Sequence, residues 1–159
     1  MNEMLVYLEK LGLAIVLSGL IGYERERQHK PAGLRTSILV TLAATMIMLF
    51  SEIIVKRGLT MDAVRAPSYM MTGLGFLGAG IIMSRGGKVE GITTAAILLV
   101  LVPIGLLIGI GEYELAICSS IVTYLVLKLK HIEKLFEKNN EKNLYNHSRG
   151  KVHKRRVVK

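Results

Sequence analysis

The residues best placed to do chemistry gather between two apolar runs: Glu24-Arg25-Glu26-Arg27, followed by Pro31, Gly33, Arg35 and Thr36. Pro31 and Gly33 set a turn, and Arg35 opens the next apolar run. An arginine just inside a hydrocarbon layer is expensive without a partner, so Glu24 or Glu26 is expected to pair with it. Such a network either locks two helix ends together or presents a regulatory, partner-binding surface. A second pair, Asp62 with Arg65, precedes the third apolar run. Asp62 suits a helix N-terminus, where a negative charge meets the positive end of the dipole, and an i,i+3 ion pair with Arg65 is within reach. Thr93 and Thr94 follow Gly91 at the start of the fourth run, placed to cap a helix or to bond across helices.

Glycine forms the other constellation. Gly73, Gly75, Gly78, Ala79 and Gly80 match a dinucleotide-binding G-x-G-x-x-G as text, but they sit inside a long apolar run with no preceding strand. On a helix, Gly75, Gly78 and Ala79 share one face, with Gly73 and Gly80 on roughly the opposite one. Small residues on both sides predict a central helix gripped closely by two neighbours. Ala14, Ser18 and Gly22 recur at i+4 in the first run, and Gly105 and Gly109 do so in the fourth.

What is missing narrows the chemistry. Between the interfacial charges the apolar runs carry no Asp, Glu, His, Lys or Arg. A path selective for a hard divalent cation wants oxygen ligands, usually carboxylates; the hydroxyls of Ser18, Thr41, Thr45 and Thr72 are poor substitutes. His29, His131, His147 and His153 fall in a loop or the tail, away from any intramembrane Ser/His pair. Cys118 is the single cysteine and lies in an apolar run, where a buried, inert thiol is expected. The sequence therefore predicts no catalytic residues, no metal site and no cofactor.

The elements that must position these residues follow from the segregation of charge. Hydrophobic residues make up 51% of the 159, yet 21% are charged, so apolar runs and charges are sorted into separate blocks. Crossing a hydrocarbon core of roughly 30 Å takes about 20 helical residues. The runs are 5–22, 36–51 (extended by 53–55), 66–84, 91–111 and 115–127. The first and last reach bilayer length only with Glu9 and Lys10 at one interface and Lys128 and Lys130 at the other. Pro103 lies inside the fourth, where neighbouring helices can satisfy the carbonyl it frees. The start of the chain lacks a basic n-region and an A-x-A-like site, so the first run is expected to be retained. The predicted class is all-α: a polytopic bundle of about five transmembrane helices over 1–128 and a basic cytoplasmic tail over 129–159.

Lys and Arg bias sets the orientation. One side collects Arg25, Arg27, Lys30, Arg35, Arg85, Lys88 and the tail; the other has Lys10, Lys56, Arg57 and Arg65. N-terminus out and C-terminus in follows. Leu129, Ile132, Leu135 and Phe136 recur at helical spacing among lysines, an amphipathic stretch at the surface. The remaining tail charge reads as an anchor attracting anionic lipid. The net charge of +9 is explained by topology, and no nucleic-acid partner is expected.

Taken in order, these pieces resemble the MgtC/SapB family of bacterial inner-membrane proteins. The matching stretches are Gly22-Tyr23-Glu24-Arg25-Glu26-Arg27 with Ala32-Gly33-Leu34-Arg35-Thr36, then Asp62 with Arg65, then Gly73 to Gly80, then Gly91-Ile92-Thr93-Thr94-Ala95-Ala96. The resemblance covers roughly residues 5–127. It implies a multi-pass bundle in the bacterial plasma membrane, associated with adaptation to low magnesium and, in some pathogens, with survival inside macrophages. The family was named as part of a magnesium transport system, but better-studied members look like regulators, with F-type ATP synthase as a reported target. On that reading the chain is a non-enzymatic accessory or regulatory protein that acts through membrane partners and forms a homo-oligomer; the alternative is a component of a transporter or channel for Mg²⁺ or another small solute. This sequence departs from the family pattern at Leu99, usually Trp, at Tyr69, often Gln, and at Pro103, usually small. Members with the virulence role carry a soluble ACT-like domain, whereas a basic tail follows here, so the resemblance brings no ligand sensing with it.

Overall fold

The computed structural model describes residues 3–59, 62–85 and 88–129. The basic tail from residue 130, with its predicted amphipathic stretch and its histidines, lies outside the described residues. The chain divides into two compact units, Met1–Tyr124 and Leu125–Lys159; the account below concerns the first.

Four helices are bounded at both ends: α1 (Glu3–Arg27), α2 (Leu34–Lys56), α3 (Arg65–Ile81) and α4 (Ile92–Ile110). A fifth, α5, is helical over 113–129. Of these, α1, α2 and α4 are long and apolar enough to cross a membrane. At 17 residues, α3 rises about 25 Å, slightly short of the hydrocarbon thickness. The helical class agrees with the sequence, with one addition. Between α3 and α4 a short antiparallel hairpin, β1 (Met83–Arg85) and β2 (Lys88–Glu90), pairs Met83 with Glu90 and Ser84 with Val89.

Each helix end has a local cause. The last carbonyls of α1 are taken by the amides of Gln28, His29 and Lys30, bonding to Glu24, Glu26 and Arg25. His29 and Ala32 adopt left-handed backbone as the chain reverses. α2 starts at Gly33 without a side-chain cap of its own; instead the Glu26 carboxylate accepts from the Leu34 amide at 3.0 Å, satisfying one of the orphan donors of a helix start. α2 ends at Gly58, in left-handed conformation, whose amide bonds to the Val55 carbonyl, as helix C-termini commonly do. Ahead of α3, Asp62 Oδ1 accepts from the Val64 amide at 3.0 Å.

The core is organised around α4, whose Leu98, Leu101, Val102, Ile104 and Ile108 are buried. Successive helices reverse direction. Arg25, near the end of α1, meets Thr94 near the start of α4, while Lys10, near the start of α1, meets Gly109 near the end of α4. α2 runs parallel to α4 and is pressed hard against it. A side chain at Gly105 would sit 2.5 Å from the Thr41 carbonyl oxygen, and one at Gly109 would collide with Met48. A Cβ at Gly22 would lie 2.8 Å from the Leu34 Cα, so α1 and α2 meet backbone to backbone. The i+4 small-residue repeats of α1 and α4 thus act as expected, admitting a neighbouring backbone.

The expectation for α3 is corrected. It is peripheral, burying only Pro67, Leu74 and Gly78. Gly78 packs on Ala95, but nothing lies within 4 Å of a side chain built at Gly73, Gly75 or Gly80. The reason is compositional: glycine permits a close neighbour but does not supply one, and the larger apolar surface of α4 takes the centre instead.

Candidate functional site

Two buried polar clusters sit at opposite ends of α4. At its C-terminal end, Lys10 is only 6% exposed. Its ammonium donates to the Gly109 carbonyl at 2.6 Å and lies 3.5 Å from the Glu52 carboxylate. Glu52 in turn pairs with Lys56, one turn on, at 2.7 Å. A cation against the last carbonyls of a helix is favoured by the dipole as well as by the hydrogen bond. The sequence places Lys10 near the end of a span; the structure adds that it is buried there, because its stem reaches inward to a carbonyl and a carboxylate that the sequence pattern does not juxtapose.

At the N-terminal end of α4 the arrangement has the opposite sign. Arg25 and Glu24 are each 3% exposed. The Arg25 guanidinium donates through Nη2 to the Thr94 hydroxyl at 2.6 Å, and its buried Nε has no hydrogen-bond partner. Glu24 is engaged by Gln28 at 2.9 Å. Among the described residues no carboxylate lies within ion-pair distance of Arg25. The adjoining Ser37 hydroxyl, packed against Gly22, is also buried without a partner. Buried polar groups are nearly always satisfied, so two orphans, one on α1 and one on the facing start of α2, mark this end as unusual.

Between the clusters runs a ladder of hydroxyls on α2. Thr41 bonds back to the Ser37 carbonyl, Thr45 to those of Thr41 and Gly105, each at 3.0 Å, and Ser51 to that of Ile47. Ser18 on α1 bonds to Ala14. Only Thr45 reaches across to α4 among these. The ladder is therefore a satisfied seam, closed by the glycine contacts at Gly22, Gly105 and Gly109.

The remaining site candidates scatter. Arg35 is exposed and pairs with neither Glu24 nor Glu26, since Glu26 is spent on the start of α2 and Glu24 on Gln28. Arg27 and Thr36 are exposed at the same end. Gly33 sits where a Cβ would press on Glu26 at 3.2 Å. Asp62 makes its turn to Val64, and its carbonyl receives the Arg65 amide, but no Asp62–Arg65 ion pair forms among the described residues. Gly91 adopts φ 93° and any side chain there would collide with the Ile81 carbonyl, so it lets the start of α4 close against the end of α3. Thr94 bonds across helices as anticipated, whereas Thr93 is exposed, as is the Cys118 thiol, which had been expected buried. No group of three or more His, Cys, Asp or Glu side chains that could hold a metal occurs among the described residues.

A family model described as the MgtC family matches residues 11–135. The chain belongs to the MgtC family. Its relatives include the Escherichia coli K12 protein named "Putative magnesium transporter YhiD", 38% identical over 130 residues, covering 79% of this chain and 60% of the relative. Protein MgtC of Salmonella typhimurium is 38% identical over 119 residues, covering 75% and 50%. Protein MgtC of Brucella abortus is 41% identical over 98 residues, covering 62% and 40%. This MgtC-family chain thus spans 40–60% of the length of these relatives. No solved structure matches it.

Proposed function

We propose that this MgtC-family chain is a non-enzymatic accessory or regulatory protein of the bacterial plasma membrane, tied to magnesium limitation, that docks its exposed helix faces on membrane protein partners. The observation that carries this reading is the contrast between a sealed interior and an open α3. At Gly22 on the α1–α2 seam and at Gly105 and Gly109 on the α2–α4 seam there is no space even for a methyl group, which argues against a path for a hydrated ion along those seams. On α3, by contrast, Phe76 is 81% exposed and Gly73, Gly75 and Gly80 have no neighbour. In a bilayer, where apolar side chains gain nothing by leaving lipid, close approach at small residues is what drives helix association. The α3 face suits another transmembrane helix, whether from a second copy or from a larger complex such as the rotary ATP synthase that the family resemblance suggests.

The name of the E. coli relative favours a second reading, transport of Mg²⁺ or another small solute. For this chain that reading places the path between copies, outside the packed monomer. Total cell magnesium in a deletion strain and its complemented control, at limiting external magnesium, separates the two. Equal magnesium content with altered growth or membrane energetics is the outcome expected. A lower content that precedes any growth defect would make transport the better account.

A further inference from the structure

We propose that Arg25 and the first turn of α4 form a receptor for a phosphate-type oxyanion. The two ends of α4 make the case by comparison. Lys10 meets the C-terminal end, where the dipole is negative and a carbonyl and a carboxylate complete the cation's surroundings. Arg25 meets the N-terminal end, where the dipole is positive, and the described residues offer it no anion. Two positive features therefore face each other in a buried place. A buried guanidinium with no carboxylate in ion-pair contact among the described residues is costly, and the fold tolerates it where an anion from outside completes the site beside it.

The donors for such an anion are already convergent. Helix N-termini hold phosphate groups through their free amides, and α4 is a 19-residue helix that starts at Gly91 with no side-chain cap. The guanidinium is fixed against that turn by the 2.6 Å bond from Nη2 to Thr94. This leaves its buried Nε as an unused donor. Glu24 accepts from Gln28 and Glu26 from the Leu34 amide, while Glu90, just ahead of Gly91, is exposed and makes no ion pair with Arg25 among the described residues. Ile92 and Thr93 are exposed, so the turn opens to the surface. Exposed Arg27, Lys30 and Arg35 lie at this end and draw anions toward it. The same chemistry comes from the phosphodiester of a net-anionic lipid headgroup, with no choline cation to balance it, or from free phosphate.

The test uses the full chain in nanodiscs. In phosphatidylcholine discs, inorganic phosphate is titrated against chloride at constant ionic strength; in a second arm, phosphatidylglycerol replaces part of the lipid and no phosphate is added. A saturable rise in the unfolding midpoint is expected in one arm, and that arm identifies the source. Arg25→Gln should abolish the rise. Thr94 acts as a positioning residue, so Thr94→Val should weaken binding about tenfold, the scale of one charge-assisted hydrogen bond, while Thr94→Ser restores it. The proposal is overturned if neither anion stabilises the wild type beyond chloride, or if Arg25→Gln or Thr94→Val binds like the wild type. Should Arg25→Gln fail to fold, the Thr94 pair decides.

Discussion

Lys10 makes two contacts that are unequal, and neutralising either side of the pair reveals which one matters. The 2.6 Å bond to Gly109 is short and ends on a helix carbonyl, whereas Glu52 is 3.5 Å away and is also held by Lys56 at 2.7 Å. Lys10→Met removes the charge, keeps most of the stem and leaves the Gly109 carbonyl without its cation. Hydrogen bonds to charged groups contribute about 1.5–3 kcal/mol, so a loss of about 2 kcal/mol is expected in denaturant unfolding in detergent micelles. Glu52→Gln leaves Lys10 on Gly109 and should cost less than about 1 kcal/mol. Equal losses in the two variants would show that the ion pair, and not the helix end, holds Lys10. None of this was legible in the sequence. Lys10 and Glu52 stood as isolated interfacial charges, because a pair 42 residues apart leaves no periodic trace. For Arg35 the sequence suggests Glu24 or Glu26 as partner, but spacing cannot say that Glu26 turns to an amide of α2.

At the scale of the element, glycines that look alike as text separate into two kinds. Gly105 and Gly109 on α4 face the backbone and side chains of α2, whereas among the described residues nothing lies within 4 Å of a Cβ built at Gly73, Gly75 or Gly80 on α3. Overpacking a tight contact costs about 1–3 kcal/mol. Gly105→Ala should therefore destabilise the bundle by that amount, read as a lower unfolding midpoint in micelles. Gly73→Ala relieves the poor helix propensity of glycine, worth about 0.8–1.0 kcal/mol in helix interiors, and should leave the midpoint unchanged or raised. A further pair tests the docking face: Gly73→Leu with Gly80→Leu should fold normally but lose complementation at limiting magnesium. Normal complementation by that double variant would remove α3 as the docking surface. The i+4 repeats of α1 and α4 were readable because their spacing alone puts small residues on one stripe. Whether a stripe is occupied depends on which helix the rest of the core selects, and that is a property of α4's apolar bulk. The hairpin at Met83–Arg85 and Lys88–Glu90 was missed for a different reason: three-residue strands are too short for alternation to stand out against the flanking runs.

For the whole molecule, the alternation of helices and the distribution of charge together support the proposed orientation, N-terminus out and C-terminus in. Reversal at each turn puts the Arg25 cluster, the 28–33 loop and the hairpin at one end of the bundle, with Lys10, Glu52 and the α2–α3 turn at the other. In sequence, Arg25, Arg27, Lys30, Arg35, Arg85 and Lys88 belong to the first end against Lys10, Lys56, Arg57 and Arg65 at the other, a narrow excess, and basic residues are retained on the cytoplasmic side. On that proposed orientation the proposed oxyanion receptor would face the cytoplasm and its anionic lipid leaflet. Since Cys118 is the single cysteine, a Cys118→Ser background allows one reporter thiol at a time. Leu59→Cys places it after α2 and Ser84→Cys on the hairpin, both at exposed positions. In intact spheroplasts a membrane-impermeant maleimide should label Leu59→Cys and leave Ser84→Cys untouched until the membrane is opened. The reverse pattern would turn the bundle over and put the Arg25 receptor outside, where free phosphate and not a cytoplasmic headgroup would be its source. Labelling of both thiols from one side would mean that α3 does not cross. In that case its glycine face would lie along the membrane surface, and docking between transmembrane helices would lose its basis.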